Sequence, residues 1–155
     1  SDELEKIDEN NYCNNPIVDS VLRIKFGIAK SDKIKVDTTI RIPKQMQLEH
    51  GDIGVLYGNL LDNAIEACRK VEEDRRFIRI ENKFTEGKLL LIVENSKTGE
   101  RNESLKTTKK DNYSHGRGIH SVRKVVEKYN GTVTFTDKGE IFEVSAMLYG
   151  IEAKE

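Results

Sequence analysis

Asn59, Asn63 and Glu66 stand at i, i+4 and i+7 in a stretch that reads Asn-Leu-Leu-Asp-Asn-Ala-Ile-Glu-Ala from Asn59 to Ala67. On a helix that spacing stacks three polar side chains along one stripe. An amide oxygen is a neutral, hard ligand, and two of them one turn apart can share a magnesium ion whose charge is already balanced by phosphate oxygens. Carboxylates in those places would repel a triphosphate, so the pattern suits a metal–nucleotide complex better than a bare metal site. Asparagine is common, and two solvent-facing helix residues would show the same spacing. Yet it is a poor helix former, and two within one mid-helix turn cost local stability without structural return. Conflict with local rules of this kind often marks function. Glu66 is open to three roles: binding water, orienting an amide, or pairing with Lys70 one turn on.

Further along, His115-Gly116-Arg117-Gly118-Ile119 stands where a polar loop meets a second helical pattern. Two glycines there let backbone approach a phosphate closely, and the helix N-terminus beyond them can face it. A Gly-x-Gly before a helix is often only a cap or tight packing. Here Lys109, Lys110 and Arg117 lie beside it, so N–H groups, helix dipole and cations could converge on an anion. Solvated loop lysines fit the same residues, and His115 could cap the loop or touch a phosphate.

These groups need elements to hold them. Asn15-Pro16 opens a helical apolar rhythm that predicts a helix over 16–30, with Asn14 or Asn15 as cap. Strict alternation from Ile34 to Ile42, closed by Pro43, predicts a half-buried strand, and a broad apolar face over 49–71 predicts the helix that carries the asparagines. Phe77, Ile78 and Ile80 form one strand and 89–93 another, joined by a Glu86-Gly87 turn. Residues 96–115 form a long polar loop, the usual mark of function or disorder. A helix over 118–129 then ends at Asn130-Gly131, and strands over 132–136 and 141–148 close as a hairpin around Asp137-Lys138-Gly139. This order predicts an α+β two-layer sandwich, with about three helices on one face of a mixed, mainly antiparallel five-stranded sheet.

A chain of 155 residues suits one domain with a core. Its 26 basic and 27 acidic side chains nearly cancel, so nothing global attracts nucleic acid or a membrane surface. No apolar run approaches the ~20 residues of a membrane helix, and no signal-like start is present. The chain reads as soluble, with Cys13 and Cys68 as reduced thiols. Residues 1–14 read as a polar lead-in or the end of an upstream helix, 15–150 as the domain, and 151–155 as a tail.

The two motifs resemble the N-box and G-box of the GHKL (Bergerat-fold) ATPases, most closely the ATP-binding domain of sensor histidine kinases and, within those, the peptide-quorum-sensing subfamily. The likeness spans residues 15–148 and is near-literal from Gly58 to Ala67. It implies the Bergerat fold, with ATP and Mg2+ as cofactors. Asn63 matches the magnesium-binding asparagine and Asn59 its helper. Gly116 and Gly118 match the G-box glycines, flanked by His115, Arg117 and Ile119. The 96–115 loop would be the ATP lid, mobile over 97–114 without nucleotide, with Lys109 in reach of phosphate.

Two departures stand out. The family's Asp-x-Gly-x-Gly box, whose aspartate accepts a hydrogen bond from the adenine amino group, reads here Asn95-Ser96-Lys97-Thr98-Gly99. Asn95 can still accept from that amine but without charge, which implies weaker binding. The basic–aromatic pair usual after the N-box alanine is replaced by Glu66-Ala67. The family's phosphoacceptor is a histidine on a separate dimerisation helix, and none of His50, His115 and His120 suits that role. The resemblance therefore implies a catalytic fragment, itself monomeric, of a homodimeric, membrane-anchored bacterial sensor. It would act in the cytoplasm with upstream phosphoacceptor helices and a downstream response regulator as partners. A degenerate regulatory module and an anti-sigma-type serine kinase are the alternatives.

Overall fold

A computed structural model describes residues 11–99 and 118–155. The helix α1 spans Pro16–Ser31 and is followed by β1 (Lys35–Arg41) and β2 (Gln45–Met46). Next come α2 (His50–Cys68), a 3-10 turn (Glu73–Arg75), β3 (Phe77–Thr85) and β4 (Lys88–Ser96). The chain ends with α3 (Ile119–Lys128), β5 (Thr132–Asp137), β6 (Ile141–Leu148) and β7 (Ala153–Lys154). The cap of α1 is Asn15, whose side chain accepts from Ile17 and Val18 N–H at 3.2 and 3.1 Å, satisfying two orphan donors. Its amide nitrogen donates to Pro43 O at 3.3 Å, tying the start of the helix to the segment after β1.

The main sheet has the order β1-β3-β4-β6-β5, parallel between β1 and β3 and antiparallel elsewhere. It is the mixed, mainly antiparallel sheet the sequence predicts. Side chains alternate along the central β4, so Leu89, Leu91, Val93 and Asn95 face the helices while Leu90, Ile92 and Glu94 face away. Across β6 they meet Leu148, Ala146, Val144 and Phe142. The helix α2 lies over this centre and packs against both α1 and α3. One polar pair sits within the apolar layer: Tyr57 OH donates to Asn82 Oδ1 at 2.8 Å, and Asn82 Nδ2 donates to Leu90 O at 2.9 Å. Burial pushes the Tyr57 hydroxyl above its usual range despite that bond, so it stays a neutral donor that fixes α2 on the sheet.

The structure extends several elements past their apolar signals. The strand β3 continues to Thr85, paired with β4 throughout, and the sequence hides this because Asn82, polar but inward, interrupts the visible alternation. Its turn to β4 has positive φ at both Glu86 and Gly87, as a two-residue type I′ connection requires. The strand β4 reaches Ser96, which therefore belongs to the sheet and not to the loop. Within the expected lead-in, Cys13 is buried, and Tyr12 and Cys13 N–H donate to Asp19. The expected tail carries β7, which pairs with β2 in a ribbon, and Ile151 is buried. Short two-residue strands leave no period to read.

The ends of α2 and α3 are joined by charge. Tyr129 OH donates to Asp52 Oδ2 at 2.6 Å and accepts from Glu49 N–H at 3.2 Å, while Lys128 Nζ lies 2.8 Å from the same carboxylate. Burial works to raise the Asp52 carboxyl, but hydrogen bonds from Lys128 and Tyr129 and the charge of Lys128 outweigh it and hold the group below its ordinary 3.8. A carboxyl lowered on folding stabilises fully above its unfolded value, and that stabilisation is lost as pH falls through the folded value. Asp52→Asn should therefore flatten part of the acid limb below about pH 4, measured by denaturant melts across pH 2–7. Tyr129→Phe should lower stability by about 1 kcal/mol at neutral pH, the net worth of one partly screened hydrogen bond.

Candidate functional site

The α2 helix brings the asparagines to its edge beside α3. Asn59 Nδ2 donates to Gly118 O across a long 3.4 Å contact, so α2 touches the start of α3 directly. Gly118 is the left-handed residue before α3, with φ 70°, and a Cβ there would lie 2.2 Å from Asn59 Nδ2 and 2.9 Å from its Cβ. Only glycine fits that close approach. Among the described residues no side chain caps this helix, and the N–H groups of Ile119, His120 and Ser121 open it without intrahelical acceptors. Ile119 itself points its side chain into the core. Its backbone N–H, not its side chain, lies at the opening of α3.

Asn63 is in a different state. Both its amide atoms are shut off from solvent, and neither has a hydrogen-bond partner among the described residues. A buried amide left unpaired costs about 1–3 kcal/mol, a penalty that a bound ligand or cation would relieve. Glu66 is partly exposed farther along α2 and already engaged in an interaction.

Asn95 lies at the helix-facing end of β4, 4% exposed, opposite Phe142 on β6 and Ile78 on β3. Its Nδ2 donates to Ser96 O at 2.9 Å, which leaves Oδ1 as the acceptor end. Cys68, the last residue of α2, sits 3.5 Å from Ser96 Oγ, bringing the end of that helix beside the exit of β4. Burial pushes the Cys68 thiol up, partly offset by hydrogen bonds with Ser96 and Phe77 O, and pushes Cys13 up to about 11. Both are buried free thiols, unsuited to nucleophilic chemistry. Gly99 abuts the Glu140 side chain, 3.2 Å from where its Cβ would be. Lys109, His115, Gly116 and Arg117, and with them the expected lid, lie outside the described residues.

Sequence reasoning missed the contacts of Lys97. Its Nζ reaches Gly139 O at 2.8 Å and Asp137 Oδ1 at 3.2 Å in the β5–β6 turn. The signal was present as a lysine in a glycine position, but its partner lies far along the chain.

Among the described residues no helix is long and apolar enough to cross a membrane. The architecture is that of histidine kinase catalytic domains. The nucleotide-free catalytic domain of histidine kinase ThkA superposes with TM-score 0.70 at 19% identity, over 87% of this chain and 90% of that one. The histidine kinase domain of the blue-light-activated kinase EL346 from Erythrobacter litoralis superposes with TM-score 0.63 at 19% identity, over 85% and 64% of the two chains. The Acinetobacter baumannii histidine kinase AdeS gives 0.61 at 17%, over 86% and 63%. At such identities these likenesses establish the fold. No curated protein matches the sequence. Residues 48–149 of the 155 match the family described as GHKL domain, and the chain belongs to that family.

Proposed function

We propose that this chain is the ATP-binding catalytic domain of a two-component sensor histidine kinase, of the peptide-quorum-sensing type, presenting Mg-ATP to a histidine on another segment. The observation that carries the proposal is the buried amide of Asn63, unpaired among the described residues, on a helix whose Asn59 touches the opening turn of α3. That donor set fits the implied cation: two neutral amide oxygens one turn apart suit a hard ion that draws its remaining ligands from phosphates. Among the described residues no cluster of three or more His, Cys, Asp or Glu side chains could hold a metal by itself.

Bound there, the magnesium–nucleotide complex would supply the transferable phosphoryl group and offset its charge. The chain's own residues bind and orient. Asn63 and Asn59 hold the cation side, the uncapped N-terminus of α3 presents N–H groups and a positive dipole end to phosphate, and Asn95 Oδ1 accepts from the base amine. Positioning of this kind is most of what phosphoryl transfer asks of a pocket. Incubating the full-length protein with labelled Mg-ATP should yield acid-labile, alkali-stable phosphate on histidine. Acid-stable phosphate on serine of a partner would instead favour the anti-sigma-type kinase.

A second reading, a regulatory module with little nucleotide affinity, is favoured by one observation, the neutral amide at Asn95 where the family places a carboxylate. It predicts a folded domain that takes up no Mg-ATP at millimolar concentration.

A further inference from the structure

Lys97 occupies a glycine position of the family's box, two residues past Asn95, and its contacts are specific. Its backbone N–H donates to Glu140 O at 3.0 Å, and its Nζ binds the Gly139 carbonyl and the Asp137 carboxylate. The paired side chains are 16% and 6% exposed, so this ion pair is more sheltered than a surface one. The same Asp137 oxygen accepts Gly139 N–H at 2.9 Å, which shapes the turn to receive the ammonium.

A peptide group is planar, so Lys97 N–H and Ser96 C=O leave one rigid unit in opposite directions. With the N–H held on Glu140, the carbonyl is aimed back toward the helices. There it receives Asn95 Nδ2 at 2.9 Å and lies 3.9 Å from Cys68 Sγ. Ser96 is anchored a second time, its Oγ accepting from Phe77 N–H at 3.0 Å. An asparagine amide is otherwise free to turn over and present either end.

We propose that Lys97 is a positioning residue for the purine base. Pinned in the β5–β6 turn, it fixes the 96–97 peptide, and Ser96 O then sets the Asn95 amide with its oxygen toward the ligand. A site so set favours a purine carrying an exocyclic amine over one carrying a keto oxygen at the same place. This rests on the ATP reading of the site and goes beyond it, because it assigns base selectivity to a side chain that does not touch the base.

The test is equilibrium titration of wild type, Lys97→Met, Lys97→Arg and Asp137→Asn with Mg-ATP and with Mg-GTP. Wild type should prefer ATP by roughly tenfold, and Lys97→Met should lose about three- to tenfold in ATP affinity, the worth of one neutral hydrogen bond. Its ATP:GTP ratio should fall to near parity while the magnesium dependence stays as in wild type. Lys97→Arg should restore the ratio. Asp137→Asn, which keeps the lysine and the Gly139 carbonyl, should lie between and decides the matter if Lys97→Met does not fold. A merely structural lysine would weaken both nucleotides together, so an unchanged ratio in Lys97→Met and Asp137→Asn overturns the proposal. Wild type that binds neither nucleotide overturns the ATP reading itself.

Discussion

Asn63→Ala should weaken magnesium-dependent ATP binding by about 100-fold, the upper end of what losing even a supporting residue of a metal site costs, and should leave the nucleotide-free domain no less stable. The two halves of that expectation have one cause. Both ends of the Asn63 amide are buried and, among the described residues, unpaired, so the nucleotide-free fold carries the desolvation cost of a polar group without a matching hydrogen bond. Removing the amide relieves that cost, and alanine is also the better helix former, so stability should rise by about 1 kcal/mol, offset in part by the lost volume. An asparagine that merely packed or capped would behave oppositely, with stability falling and binding unaffected. Denaturant melts of the nucleotide-free protein, paired with calorimetric titration, separate the two.

Gly131→Ala should lower stability by about 4 kcal/mol or prevent folding, the largest single-methyl effect expected in the molecule. Here α3 ends in a Schellman motif: Asn130 takes the left-handed φ of 57°, its N–H donates to Glu127 O at 3.0 Å, and Gly131 N–H reaches Val126 O at 2.8 Å. The chain then turns at once into β5, crossing the end of β6. A Cβ on residue 131 would stand 2.0 Å from Met147 O and 3.2 Å from Leu148 Cα. All the obstructing atoms are backbone of an interior strand that pairs with β4 and β5, so no side chain can swing aside. Circular dichroism melts of Gly131→Ala decide the point, and a melting temperature within a few degrees of wild type would show that the crossing can relax.

Much of the fold was legible because its layers obey simple periods. The amphipathic rhythm from Pro16 and the alternation of Ile78, Ile80 and of Leu89, Leu91, Val93 mark the faces that meet in the core. Polar residues placed inward were not legible. Asn82 interrupts the period-two pattern because its partner, Tyr57, is supplied only by the tertiary structure, while Asn95 turns inward at the strand's end and bonds the carbonyl of its own neighbour, Ser96. The β2–β7 ribbon escaped because its strands are two residues long and depend on pairing between distant segments.

At the site, the sequence shows the types and spacing of Asn59 and Asn63 but not the difference between them. The structure makes Asn59 a contact to the Gly118 turn and Asn63 the unpaired donor–acceptor group. Lys97 read as a loss from a familiar box, and its contacts make it an addition that stiffens the box's exit.

The central claim is that the Asn63 amide awaits a magnesium–nucleotide complex. Calorimetric titration of ATP into the chain, with magnesium and with excess chelator, tests it most directly. The account predicts saturable binding below millimolar nucleotide that requires magnesium and disappears in Asn63→Ala. Absence of heat at millimolar Mg-ATP, or equal affinity in Asn63→Ala, would contradict it.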